Sequence, residues 1–133
     1  MKLDVVTPTG AKLKDLEVRE VTLPGVRGEM GVLPSHIAML AGLGIGPMVI
    51  EGESGRMIAS IANGYVEILD DRILVLAESC ELAEEVDIDR ANASLAAASA
   101  CLGTTSQYQT EAWQAARQSV KKAETRIRVA GMK

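Results

Sequence analysis

Met48-Val49-Ile50-Glu51, Gly52-Glu53-Ser54-Gly55, Arg56–Ala62, Asn63-Gly64, Tyr65–Leu69, Asp70-Asp71 and Arg72–Ala77 follow one another as apolar runs separated by turn residues. Gly52–Gly55 has the length and composition of a hairpin loop. In Tyr65-Val66-Glu67-Ile68-Leu69-Asp70 the residues Val66 and Ile68 fall on one face and Glu67 on the other. Strand-length runs with no helical period between them favour an antiparallel sandwich or barrel. Two packed sheets bury one face of each strand and leave the other wet, so this half is expected to be a rigid body.

Toward the N-terminus the pattern continues. Leu3-Asp4-Val5-Val6 ends at Thr7-Pro8-Thr9-Gly10, and Glu17–Leu23 stops at Pro24-Gly25. Gly44-Ile45-Gly46-Pro47 matches neither glycine-rich nucleotide pattern and precedes no helix; it reads as a turn between strands. Toward the C-terminus the character changes after Ser79. Glu81, Glu84, Glu85, Asp87 and Asp89 crowd together, lacking calcium-loop spacing, and read as a solvated helix start with Asp87 as N-cap. Apolar residues then recur at Ile88, Ala91, Leu95, Ala98 and Leu102, and, after a break at Gly103-Thr104-Thr105-Ser106, at Trp113, Ala116, Val120, Ala123, Ile127 and Ala130. Alternating steps of three and four on two helices joined by a short break predict an antiparallel helical hairpin. Its seams are half alanine, which buries little apolar area. The expected fold is therefore α+β: an N-terminal antiparallel two-sheet β-sandwich, residues 1–84, followed by a C-terminal two-helix antiparallel hairpin, residues 85–133. The thin seams further predict a marginal hairpin with more than one docking arrangement.

Composition narrows the function. The 133 residues are 47% hydrophobic and 24% charged, as in ordinary globular proteins. No apolar run approaches the roughly 20 residues of a bilayer-crossing helix, and Met1-Lys2-Leu3-Asp4 lacks the layout of a signal peptide. The chain is expected to stay in the cytoplasm and to meet a membrane only through a partner. Cys80 and Cys101 form neither a zinc cluster nor a disulfide framework and are read as small buried hydrophobes. There is no Phe, and only Tyr65, Tyr108 and Trp113 carry rings, which argues against sugar platforms and nucleic-acid grooves. Charge is uneven: residues 1–110 hold 8 Lys/Arg against 16 Asp/Glu, whereas residues 111–133 hold 6 against 2. A basic end of this kind suits an acidic protein partner, an anion, or the chain's own acidic body.

No catalytic constellation assembles. His36 is the single histidine, with no adjacent acid to orient it and no implied nucleophile. One segment nevertheless demands a built loop: Leu23-Pro24-Gly25-Val26-Arg27-Gly28-Glu29-Met30-Gly31-Val32-Leu33-Pro34-Ser35-His36, with three glycines and two prolines in fourteen residues. Ordered irregular loops often carry recognition.

Within that loop, Gly28-Glu29-Met30-Gly31-Val32-Leu33-Pro34-Ser35-His36 resembles the signature of the epsilon-subunit family of rotary ATP synthases. Leu3-Asp4-Val5-Val6-Thr7-Pro8, Val21-Thr22-Leu23-Pro24-Gly25, Asn63-Gly64-Tyr65-Val66-Glu67-Ile68 and Val75–Glu78 resemble further family motifs, in the same order. Ser35 stands where the signature has glycine, Ile37-Ala38 where it has Ala-Pro, and Gly46-Pro47 where it has Pro-Gly. The resemblance implies a non-catalytic central-stalk subunit on the cytoplasmic face of the bacterial inner membrane, peripheral to it. Its implied partners are the gamma subunit, the c-ring and the alpha and beta subunits, with no nucleic acid. It implies rotor contacts at Glu29, Gly31 and His36, and a hairpin that folds on the sandwich or extends along gamma to brake ATP hydrolysis. Arg117, Lys121, Lys122, Arg126 and Arg128 would then form a basic face toward the catalytic subunits. No cofactor is required, but Val86-Asp87-Ile88-Asp89-Arg90-Ala91 is similar to a motif with which some relatives bind regulatory ATP. Glu81, Asp87, Arg90, Lys122 and Arg126 are the implied ligand residues here, with Lys122 where arginine is expected and Ala97 where another basic residue often lies. Two alternatives stand beside this reading: a free-standing adaptor whose basic hairpin recognises an acidic partner, and a small enzyme built around His36 and Glu29.

Overall fold

The computed structural model describes residues 1–35, 37–53, 55–104 and 111–132. Six strands come first: β1 (Lys2–Thr7), β2 (Gly10–Gly25), β3 (Gly28–Val32), β4 (Met39–Gly52), β5 (Gly55–Leu69) and β6 (Arg72–Leu82). A 3-10 turn (Ala83–Glu85) leads to helices α1 (Ile88–Thr104) and α2 (Glu111–Gly131). The strand order is β1-β6-β5-β4-β2-β3, and β1 also pairs with β2, so the sheet closes on itself. All pairings are antiparallel except β1 with β6, which run parallel. The expected architecture of strands followed by two helices is the observed one.

Two expected turns are not turns. Asn63-Gly64 lies inside β5, which runs unbroken from Gly55 to Leu69. Asn63 has φ 52° and Gly64 φ 150°, so the chain bends without reversing. A Cβ on Gly64 would stand 1.9 Å from the Leu76 carbonyl oxygen, a distance only glycine avoids. Gly44-Ile45-Gly46-Pro47 likewise lies within β4, where Ile45 pairs with Ala62 and Pro47 with Ser60. The bend has a consequence for the core. Inward residues of β5 are Ala59 and Ile61 before it but Val66 and Ile68 after it, so the alternation slips by one position. Period-two reasoning takes such a slip for a strand end.

The core holds Leu, Ile, Val and Met, including Leu3, Leu23, Met48, Ile50, Ile61 and Ile73, all at most 1% exposed. Every member of this cluster lies between Leu3 and Cys80, so the sandwich closes its own interior without the helices. At one end Arg72 joins β1 and β2 by bonding Asp4 at 3.0 Å and Asp15 at 2.6 Å. The Asp15 amide donates to the Asp4 carboxylate at 2.7 Å, and this bond and Arg72 together hold the Asp4 carboxyl below its usual range.

The acidic run is distributed over three elements rather than one helix start. Glu81 lies near the end of β6, Glu84 and Glu85 sit in the 3-10 turn, Asp87 directly precedes α1 and Asp89 is in its first turn. Asp87 caps α1 as expected: its Oδ1 accepts from the Arg90 amide at 3.1 Å, and its carbonyl from the Ala91 amide at 2.9 Å. Ala91 and Ala98 of α1 and Ala116 and Ala123 of α2 are buried, in keeping with the expected seam. Of the expected break, Gly103 and Thr104 still belong to α1 and 105–106 lie outside the described residues, as do the side chains of the seam positions Leu102 and Trp113. No described helix is long and apolar enough to cross a membrane.

Candidate functional site

Helix α2 has a second buried line that the sequence reading lacked. Thr125 and Val129 are buried and Met132 is partly buried, at helical steps of four and three. Val129 packs with Ile58 of β5 and Ala83 of the 3-10 turn, and Met132 adjoins them. α2 thus lies on β4, β5 and the 3-10 turn, while α1 packs on α2. The polar side of Thr125 is satisfied within the helix, its hydroxyl donating to the Lys121 carbonyl at 2.8 Å.

This docking line divides the basic residues. Lys122 and Arg126, one turn apart, enter a cleft of about 600 Å³ lined also by Glu81, Glu85, Arg90, Ser60, Ser79 and Ser94. Arg126 grips Glu81 with two of its three nitrogens, Nε at 2.9 Å and a terminal nitrogen at 3.2 Å. Lys12 pairs with Glu85 at the same end. Four of the five residues implied for ATP therefore converge. The fifth, Asp87, is exposed and does not line the cleft; its carboxylate is engaged at the α1 cap. Cys80 also faces this cleft, and burial pushes its thiol up to about 11, which leaves it protonated and inert.

Lys121 and Arg128 lie on the opposite flank, in a cleft of about 360 Å³ with Pro24, Gly28, Glu29, Pro47, Glu124 and Thr125. Arg117 is exposed on the same helical stripe as these two. The expected single basic face is therefore split in this packing, because the docking line runs between its halves. α2 sets its cations against the acidic sandwich, the third of the partners that the charge asymmetry allowed. Glu29 and Gly31 are exposed on β3, opposite Pro24 and Thr22 of β2. His36 lies outside the described residues.

Sequence reasoning missed one surface. On the outer face of the sheet Val6 pairs with Leu76, Leu76 with Tyr65, and Tyr65 with Gly42, and the Val26 amide donates to the Gly42 carbonyl at 3.1 Å. Val26, Tyr65 and Leu76 are 68%, 62% and 47% exposed, with Leu40 nearby in the adjacent row at 71%. Val26, Tyr65 and Leu76 border a shallow hollow of about 560 Å³ lined also by Val6, Gly42, Leu43 and Gly64. A contiguous apolar patch of this kind marks an interaction site. Its signal was in the sequence: Ile73-Leu74-Val75-Leu76-Ala77 is apolar on both faces, which a half-wet strand does not require.

Known proteins share this arrangement. Residues 1–83 match the family described as ATP synthase, Delta/Epsilon chain, beta-sandwich domain. The ATP synthase epsilon chain of Trichlorobacter lovleyi is 38% identical over 133 residues, covering 98% of this chain and 94% of that protein. That of Geobacter sulfurreducens is 37% identical over 132 residues, with 98% and 94% covered. Among solved structures, a chain of the Euglena gracilis mitochondrial ATP synthase OSCP/F1/c-ring complex superposes with TM-score 0.81 at 24% identity, covering 100% of this chain and 81% of that one. A chain of the Tetrahymena thermophila mitochondrial ATP synthase central stalk/c-ring gives 0.64 at 18% identity, with 98% and 96% covered. At these identities the structural likeness speaks for the fold. The sequence matches speak for more, since the family covers most of the chain and the relatives span nearly all of it: the chain belongs to the ATP synthase delta/epsilon chain family, among the epsilon chains.

Proposed function

We propose that this chain is a non-catalytic central-stalk subunit of an F-type ATP synthase that couples the catalytic head to the c-ring and brakes ATP hydrolysis with its C-terminal helices. The observation that carries the reading is the division of the molecule into a sandwich that closes its own core and a hairpin resting on it through one narrow line of α2. A rigid anchor with a weakly held arm is what a mechanical brake needs. The anchor's docking surface is the apolar row Val6, Leu76, Tyr65 and Val26, which meets the gamma subunit. Glu29, Gly31 and His36 contact the c-ring. The arm, once released, carries Arg117, Lys121, Lys122, Arg126 and Arg128 to the alpha and beta subunits. The subunit is peripheral, on the cytoplasmic face of the bacterial inner membrane, and meets the bilayer only through the complex.

The test is ATP hydrolysis by the purified catalytic complex reconstituted with the full chain or with residues 1–86. Binding by both and inhibition by the full chain alone is the expected result. Binding by both without inhibition would leave a structural coupling subunit, and binding by neither would favour the free-standing adaptor. A second reading concerns the cleft beside Glu81. The convergence of Arg90 and Lys122 beside the Glu81–Arg126 pair favours a regulatory ATP there, held by its phosphates. Calorimetric titration of the isolated chain with ATP should give binding that Arg90→Ala weakens about tenfold or more. Unchanged affinity in that variant would move the ligand elsewhere.

A further inference from the structure

The hairpin's apolar hold on the sandwich rests on few side chains among the described residues. Val129 is fully buried against Ile58 and Ala83, Met132 closes the rim, and Thr125 spends its hydroxyl inside its own helix. An alanine-rich seam then joins α1 chiefly to α2. Against so thin an apolar contact, one well-formed polar tie weighs heavily.

That tie is Glu81 with Arg126. Glu81 stands at the end of β6, opposite Ser60 of β5, where the backbone is fixed by the sheet. Arg126 reaches it from α2, 45 residues later in the chain. Both carboxylate oxygens are used, and the side chains are only 28% and 22% exposed. A bidentate guanidinium–carboxylate pair fixes orientation as well as distance, and partial burial shields it from salt. The next cations in the cleft, Arg90 and Lys122, make no ion pair among the described residues.

We infer that Glu81 and Arg126 are a latch, and that this one ion pair sets the balance between docked and released hairpin with no ligand present. The inference rests on the hairpin being the moving part, as proposed above. Because Arg126 is already engaged by Glu81, an anion entering the cleft finds Arg90 and Lys122 as its available cations. Docking in this chain therefore depends on its own acid rather than on a bound anion. The latch also explains why the sandwich carries its negative charge next to a basic helix: the body supplies the counter-charge that an acidic partner offers the released arm.

The experiment is amide hydrogen exchange on the full isolated chain, without nucleotide. Glu81→Gln and Arg126→Gln are each expected to speed exchange across residues 114–131 on the order of tenfold, while β4, β5 and β6 keep their protection. The reversed pair Glu81→Arg with Arg126→Glu is expected to slow α2 exchange again, below both single variants. Exchange in α2 that stays within about threefold of the parent in both single variants overturns the latch. So does a reversed pair that exchanges as fast as the faster single. If a single variant loosens the strands as well, the reversed pair decides alone. Because the measurement is made on the isolated chain, its failure leaves the reconstitution with residues 1–86 free to succeed or fail on its own.

Discussion

The outer faces of the two halves of β5, Ile58, Ser60 and Ala62 against Tyr65, Glu67 and Leu69, have opposite fates. From Ile58 to Ala62 every residue is buried, because Ala59 and Ile61 point into the core while α2 and the adjoining cleft cover Ile58 and its neighbours. From Tyr65 to Leu69 only Val66 and Ile68 are buried, and Tyr65 and Leu69 stand in solvent. The first half has found its cover within the chain. The second, with Val26, Leu40 and Leu76 beside it, has not. An apolar face left bare on one half of a strand whose other half is covered indicates an outside partner, whereas the covered half is where the chain's own α2 docks.

The comparison breaks most severely at the shared interior. Ile61→Ala, at a fully buried site, should destabilise the sandwich by about 2–5 kcal/mol in denaturant unfolding and release both outer faces together. Gly64→Ala strikes the bend that separates the halves, with a Cβ 1.9 Å from the Leu76 oxygen. It should cost roughly 1–3 kcal/mol or more and disturb β5 and β6 in amide exchange. An unchanged midpoint would mean the bend is not required.

Two milder substitutions separate the faces. Val129→Ala removes methyl groups from the covered side and should weaken hairpin docking by about 1–2 kcal/mol, leaving the sandwich's unfolding midpoint in place. Tyr65→Ala on the bare side should leave the isolated chain within about 0.5 kcal/mol of the parent, yet reduce affinity for the ATP synthase complex about tenfold or more. Equal effects of these two on complex binding would end the distinction between the faces. The smallest expected effect is that of pH. The Asp4 carboxyl is held below its ordinary 3.8 by the Asp15 amide and Arg72. Its contribution is therefore fully present above that value and is lost as pH falls through the depressed one. Thermal unfolding between neutral and strongly acid pH should show Asp4→Asn removing a small part of the acid sensitivity.

Much of this molecule was legible in advance. The hairpin loop after Glu51, the alternation at Val66 and Ile68, the Asp87 cap and the alanine seams are local features, set by periods of two and of three to four and by capping chemistry. Local periodicity failed at Asn63-Gly64, where glycine marked a bend within a strand rather than its end, and at Gly44–Pro47, which continues β4. It failed again on α2. A strict three-four seam accounts for the contact with α1, while Thr125, Val129 and Met132 belong to a second contact whose partner lies some 70 residues earlier, at Ile58.

The sequence by itself determined the two-part architecture, the self-sufficient sandwich core, the acidic body and the basic tail. Those follow from composition and short-range pattern, which tertiary contacts can only accept. The tertiary structure alone decided which cations meet which acids, that the basic residues fall on two flanks of α2, and which apolar strand face stays bare. Such pairings depend on the angle at which a helix lies on a curved sheet. No residue spacing encodes that angle, because it is set by the summed packing of elements distant in the chain.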